Sequence, residues 1–163
     1  MCDSTKIPGE LRIRSYTSLP DDAREIRITV FVEEQGFVEE FDTTDGESVH
    51  FVAFDGETAV GTCRVFKTEN EQSYTLGRLA VSKHHRKKGI GRALLSAAEE
   101  YAQRNGATEL ILHAQCAAQS FYEKRGFTAY GEIEYEQDSP HTWMKKAYQN
   151  PIAFESKHDL PEL

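Results

Sequence analysis

The chain has no C-x-x-C pair, and its three cysteines, Cys2, Cys63 and Cys116, cannot all pair with one another. That usage fits a reducing compartment and excludes a disulfide scaffold. No apolar run approaches the ~18–20 residues a membrane span needs. The opening MCDSTKIPGE lacks the charged-then-apolar order of a secretory signal. These absences predict a cytoplasmic protein with no membrane partner. Basic charge is scarce too, with 19 Lys and Arg against 27 Asp and Glu and a formal net charge of −8. A nucleic acid is a dense line of negative charge, so this balance argues against it as a partner. Two phosphate-binding strings are also missing. No G-x-x-x-x-G-K-[ST] occurs, which disfavours a P-loop nucleotidase. In the glycine-rich run KKGIGRALL, Leu94 stands where a dinucleotide fingerprint has its third glycine. His50 and the adjacent His84 and His85 carry no metal-ligand spacing, so no metal is expected.

What is present suits one globular domain, since 163 residues can bury a core of ordinary size. LRIRSY (11–16) alternates apolar and polar residues and predicts a strand. LPDDAREIRITVFVEEQGF follows, with Asp21 and Asp22 near a helix start and Ala23, Ile26, Val30 and Phe31 on one side. Asp55-Gly56 between two β-rich runs predicts a hairpin. SYTLGRLAVS (73–82) reads as a further strand. The next helix has Ile90, Ala93, Leu94, Ala97, Ala98 and Tyr101 on one stripe and Gly106 at its C-terminal cap. TELILHA (108–114) predicts a strand, QCAAQSFYEKRG a short helix, and FTAYGEIEYE and TWMKKAY two closing strands around Ser139-Pro140. Strand–helix–strand over 73–114 implies a parallel pair joined by a crossover. The sum is a mixed α/β fold: a largely antiparallel sheet containing one parallel pair, with helices on both faces.

One stretch departs from the acidic background. Lys83, Arg86, Lys87, Lys88 and Arg92 crowd around two glycines in HHRKKGIGRALL with no acid among them. The stretch links a strand to a helix start, where backbone N–H groups lack partners and carry partial positive charge. Glycine lets a ligand approach that backbone closely. Such a turn favours phosphate or pyrophosphate; a solvated basic loop is the other reading.

LGRLAVSKHHRKKGIGRALLSAAEEYAQRNGATELILHAQCAAQSFYEKRGF resembles the central motifs of the GNAT N-acetyltransferases. It has the R-x-x-G-x-G core after a strand ending in Leu-Ala-Val, and A-x-x-F-Y-x-x-x-G-F downstream. FVEEQ, VHFVAFDG, LHAQ, FYEKRGF and SPH look most like the bacterial ElaA-like branch. The likeness covers roughly 11–148, leaving an N-terminal extension over 1–10 and a C-terminal tail over 149–163. It implies a GNAT fold with the parallel pair splayed apart, and acetyl-CoA as co-substrate. It also implies transfer to a primary amine of a small molecule or peptide by direct attack in a ternary complex. The alternative is a non-catalytic acyl-CoA binding or sensing module. Homodimers are a family expectation.

Residue by residue, the resemblance places the pyrophosphate on the turn of Arg86, Lys87, Lys88, Gly89, Ile90, Gly91 and Arg92. The pantetheine arm lies along Leu79, Ala80 and Val81, and Gln115 and Ala118 complete the coenzyme contacts. Tyr122 matches the tyrosine that donates a proton to the coenzyme sulfur. Gln115 stands where many relatives have asparagine. For the proton acceptor the candidates are His113, His141 and Glu34, with ordered water as a fourth. Glu33, Glu34, Arg78 and His113 are candidates for contact with the acceptor. Cys116 lacks the base a thiolate nucleophile needs. From Ile28 to Cys63 there is no Lys or Arg but nine Asp and Glu. This is either a lid attracting a cationic amine or a solvated acidic face.

Overall fold

The structure, a computed structural model, describes residues 10–38, 40–70 and 72–149. Nearly all of the expected N-terminal extension and tail lie outside these residues. Strands follow one another in the hydrogen-bonded order β1-β2-β3-β4-β5-β7-β6. They are β1 (Leu11–Tyr16), β2 (Val49–Asp55), β3 (Thr58–Lys67), β4 (Ser73–Val81), β5 (Glu109–Gln115), β6 (Thr128–Glu136) and β7 (Ser139–Ala147). The helices are α1 (Asp21–Arg27), α2 (Ile90–Arg104) and α3 (Gln119–Glu123). The chain divides into two compact units: residues through Arg64 with Arg78–Ala98, and Val65–Gly77 with Glu99 onward.

In the first unit β1 and β2 pair antiparallel from Leu11↔Asp55 to Tyr16↔His50. The turn after β2 uses Gly56 at φ +65°. Asp21 and Asp22 occupy the first turn of α1, where carboxylates complement the helix dipole. Its expected buried face is observed, with Ala23, Ile26, Val30 and Phe31 all buried. Its coil is different: beyond Arg27 the helix widens into a π segment, Ile28–Glu34. Ile28, Thr29, Val30 and Val32 are β-branched and crowd the preceding turn of an α-helix. Ile26, Val30 and Phe31 pack around Ala80 of β4. On β3, a Cβ added at Gly61 would lie 2.9 Å from Leu94 Cδ1 and 3.1 Å from Ile90 Cγ2. The absence of a side chain there is what seats the start of α2.

In the second unit β4 and β5 are parallel, from Ser73↔Glu109 to Leu76↔Leu112, where their register ends. Leu110, Leu112 and Ala114 of β5 are buried, while Glu109, Ile111, His113 and Gln115 occupy the alternate face. β7 pairs antiparallel with β5 from Glu109↔Ala147 to Gln115↔His141. The closing turn sits two residues earlier than expected. Gln137 and Asp138 adopt φ of +51° and +72°, as a two-residue hairpin turn requires. Ser139 and Pro140 instead open β7, a strand position where the missing proline N–H is tolerated. The expected short helix resolves into a 3-10 turn, Cys116–Ala118, followed by α3. Along α2 the most buried residues are Ile90, Leu94, Leu95, Ala98 and Ala102. The stripe is therefore rotated about one residue from the expected one, with Ala93, Ala97 and Tyr101 only partly covered. Gly106 caps the helix at φ +91°. Among the described residues, no helix is long and apolar enough to cross a membrane.

Candidate active site

The basic turn lies where the sequence places it, between β4 and α2. Lys87 and Gly89 take φ of +67° and +85°, so the backbone turns sharply just before the helix. Ala93 N donates to Gly89 O at 3.0 Å, which makes Gly89 the N-terminal cap. Ile90, Gly91 and Arg92 then present N–H groups for which the helix has no acceptor. Lys87, Lys88 and Arg92 are exposed around them. A pyrophosphate fits this donor set in charge and in hydrogen bonding.

Arg86 is different. Its guanidinium makes a two-pronged pair with Glu34, Nη1 to Oε2 at 2.7 Å and Nη2 to Oε1 at 2.8 Å. Its Nε donates to Val81 O at 2.8 Å. This side chain braces the turn to the π segment and to the end of β4. The Arg86 hydrogen bond, opposed by partial burial, holds the Glu34 carboxyl below its ordinary value. A carboxylate held this way is a weak proton acceptor, so the geometry argues against Glu34 as the base. Glu33, its neighbour, is exposed.

The acidic stretch is not simply a solvated face. Arg27 reaches Glu40 Oε2 through Nε at 2.8 Å, and Asp45 through Nη1 and Nη2 at 2.8 and 3.1 Å. Arg64 reaches Asp42 and Asp45 through Nη1 at 2.7 and 2.8 Å. Arg78, at φ +53°, binds Glu40 Oε2 through Nε at 2.9 Å and Glu40 O through Nη2 at 2.9 Å. Three guanidinium groups thus meet three carboxylates, and Arg78, a candidate for the acceptor, is engaged in the frame. Burial alone would raise the Asp45 carboxyl, but the hydrogen bonds from Arg27 and Arg64 outweigh it and lower it to about 2. His50, buried beneath, donates from Nε2 to Asp45 O at 3.0 Å. Burial pushes this imidazole below its ordinary value and keeps it neutral.

In the second unit Tyr122 is buried on α3. Its ring meets Phe121 edge-on at 5.0 Å and Phe127 at 5.9 Å, so two aromatics fix its plane. Gln115 ends β5 and caps the 3-10 turn that runs to Ala118. His113 stacks on Trp143 at 4.3 Å, and its centroid lies 5.0 Å from that of His141. Its Nδ1 is 2.7 Å from Glu136 Oε2. His141 is buried and bonds to Ser139 O through Nδ1 at 2.9 Å. The structure therefore gathers two of the proposed bases, His113 and His141, into one cluster. Trp143 and Glu136, which join them, have no local sequence signal; only the register of the closing hairpin brings them there. Among the described residues, no group of three or more His, Cys, Asp or Glu side chains is arranged to hold a metal ion.

A family model described as an acetyltransferase (GNAT) domain matches residues 19–148. The chain is 38% identical over 128 residues to an uncharacterized N-acetyltransferase of Bacillus subtilis, YjcF, covering 77% of this chain and 90% of that one. The crystal structure of Escherichia coli ElaA matches with a TM-score of 0.74 at 26% identity, over 83% of this chain and 99% of that one. An acyl-CoA N-acyltransferase of Pseudomonas aeruginosa matches equally well, with a TM-score of 0.74 at 27% identity over 84% and 99%.

Proposed function

The chain belongs to the GNAT family of N-acetyltransferases, and we propose that it moves the acetyl group of acetyl-CoA to the primary amine of a small molecule or peptide. The observation that carries the coenzyme assignment is the N-terminus of α2. There the N–H groups of Ile90, Gly91 and Arg92 have no helical acceptor, and exposed Lys87, Lys88 and Arg92 surround them. These groups take the pyrophosphate, and Leu79, Ala80 and Val81 of β4 take the pantetheine arm. The co-substrate supplies an acetyl group already activated as a thioester. The amine nitrogen bonds to the acetyl carbon and the carbon–sulfur bond breaks, with no covalent enzyme intermediate. Tyr122 delivers its phenolic proton to the departing thiolate. His113, whose carboxylate partner leaves one ring nitrogen for the task, receives the proton the amine loses. Positioning of both reactants supplies a further large share of the acceleration.

The charge layout favours a cationic acceptor but relocates its source. Glu34, Glu40, Asp42 and Asp45 are already neutralised by arginines. Glu132, Glu134 and Glu136 on β6 are exposed and supply a negative field for an amine approaching His113.

The test is free-thiol release from acetyl-CoA with polyamines, amino sugars, amino acids and lysine peptides. Turnover with a cationic class is expected; coenzyme binding without turnover across the panel would favour the sensing module. Acetyl-CoA at ~100 times its dissociation constant should stabilise the parent by roughly 2.7 kcal/mol. Gly89→Glu should lose that thermal shift. An added Cβ would lie 3.6 Å from Arg92 Nη2, an ordinary van der Waals contact, and Gly89→Ala carries the same backbone cost without the charge. A full shift in Gly89→Glu would mean that the pyrophosphate binds elsewhere.

A further inference from the structure

We propose that Glu136 is a positioning residue that makes Nε2 of His113 the proton acceptor, an inference that rests on the acetyl-transfer reading above. Four features of the second unit converge on it.

The first is the ladder. His113 of β5 lies directly opposite Trp143 of β7, and Gln115 opposite His141. Directly opposed residues share a face, so His113, His141 and Trp143 stand together. The second is a bulge. Tyr130 pairs with Trp143 and Glu134 with His141, so three residues of β6 oppose one of β7. Gly131, at φ +78°, absorbs the bend. Because the bulge adds two residues, side-chain parity is kept. Glu134 and Glu136 therefore emerge on the same face as His113.

The third feature is the hydrogen bond. Glu136 Oε2 lies 2.7 Å from His113 Nδ1. A carboxylate only accepts, so Nδ1 carries a proton, and in the neutral ring the lone pair is on Nε2. The fourth is the state of that second nitrogen. Nε2 is buried and makes no hydrogen bond, its nearest carboxylate atom being Glu134 Oε1 at 3.5 Å. Trp143, stacked at 4.3 Å and 20°, holds the ring plane. The ring is thus fixed in tautomer and orientation, with its basic nitrogen uncommitted.

The groups facing this imidazole are Glu134 and Glu136 from β6 and His141 from β7, with Gln115 beside it on β5. Lys145, two residues along β7 from Trp143, is turned over the Tyr130 ring at 4.8 Å. His141 is not equivalent to His113. Its Nδ1 hydrogen is committed to Ser139 O, and its Nε2 is 3.9 Å from Glu136 Oε1. Glu136 therefore faces both rings, and its 2.7 Å hydrogen bond goes to His113. When Nε2 of His113 takes the amine proton, the imidazolium lies between two carboxylates and on an indole face. Both surroundings favour the charge.

Glu136→Gln keeps the shape and removes the charge. With the best amine from the panel, kcat is expected to fall roughly a hundredfold, the lower end of what positioned proton transfer contributes. KM for acetyl-CoA and the melting temperature should stay the same. The acid limb of the kcat/KM profile should move to lower pH. In a His113→Gln background, which has lost that limb, Glu136→Gln should cost nothing further. An unchanged profile in Glu136→Gln, or an equal loss in the His113→Gln background, would overturn the proposal. Nitrogen NMR of the imidazole reads the tautomer without turnover, so the positioning role is tested even if no amine is acetylated. The parent should show the proton on Nδ1 of His113, and Glu136→Gln should populate the other tautomer. A parent ring carrying its proton on Nε2 would refute the role of Glu136. Absence of turnover with the expected tautomer would instead fault the acetyl-transfer reading.

Discussion

Arg27→Met should cost the fold about 3–5 kcal/mol, the usual penalty for removing one partner of a buried ion pair. Arg27 is 1% exposed where α1 meets the π segment, an unfavourable place for a charge unless its partners are complete. They are: Glu40 Oε2 and both Asp45 oxygens lie within 3.1 Å, and Glu40 O at 3.2 Å. Methionine fills the volume but leaves these carboxylates with only Arg78 and Arg64 to answer them. The melting temperature should fall on the order of 10 °C for a chain of this size. Arg27→Lys, which keeps the charge but loses the planar fork, should fall between parent and Arg27→Met. A melting temperature within two or three degrees of the parent would show that the network relaxes around the loss.

The same network sets an acid limit. Asp45 has its carboxyl lowered from 3.8 to about 2 in the fold. A depressed carboxyl contributes stability above its unfolded value and loses it as pH falls through the folded one. That contribution is roughly 2 kcal/mol, fully present above about pH 4 and removed on the way down to pH 2. His50 acts in the same direction at higher pH. Its lowered value means the fold resists protonation, so stability begins to decline as pH falls below the ordinary 6.5. Denaturant titrations across pH should show both declines. The gap between the parent and Arg27→Met should narrow below pH 4, because a protonated Asp45 no longer needs the guanidinium.

Why this network was not legible in the sequence follows from its spacing. Its pairs join positions 13, 18, 22 and 38 residues apart, and no local pattern reports such distances. One clue existed. The acidic stretch without a cation runs from Ile28 to Cys63, and Arg27 and Arg64 stand at its two ends. A segment with no cation of its own can bury carboxylates only against cations from outside, and the flanking arginines are the ones used. By contrast, the parallel pair and the turn before α2 were readable. They depend on local properties: alternation, glycine at positive φ, and the start of a helix. The π segment was not, since the same apolar spacing suits an α-helix. Nor was the pairing of His113 with Glu136, which depends on where a two-residue bulge at Gly131 resets β6 against β7. Base candidates came from residue type and from the family resemblance, and neither reports the hydrogen bonds each one makes in the fold.

Tyr122→Phe should lower kcat at least a hundredfold while leaving coenzyme affinity and stability near those of the parent. The ring is buried between Phe121 and Phe127 and contributes packing that phenylalanine retains. Only the hydroxyl is lost, so any large effect on turnover belongs to that group. Positioned proton transfer contributes roughly 10²–10⁴-fold in rate, and a thiolate leaving without a proton must carry full negative charge. That dependence offers a control which packing does not share. A thioester whose thiol is more acidic forms a stable thiolate unaided, so the deficit of Tyr122→Phe should shrink with such a donor. A structural defect would slow both donors alike. Coenzyme affinity, read from the thermal shift, should be unchanged, because the pyrophosphate contacts we propose are those of the α2 turn. If Tyr122→Phe turned over at the parent's rate with acetyl-CoA, the phenol would be a packing residue and the leaving thiolate would take its proton from solvent. If the deficit were the same with both donors, the hydroxyl would be orienting the thioester rather than protonating its sulfur.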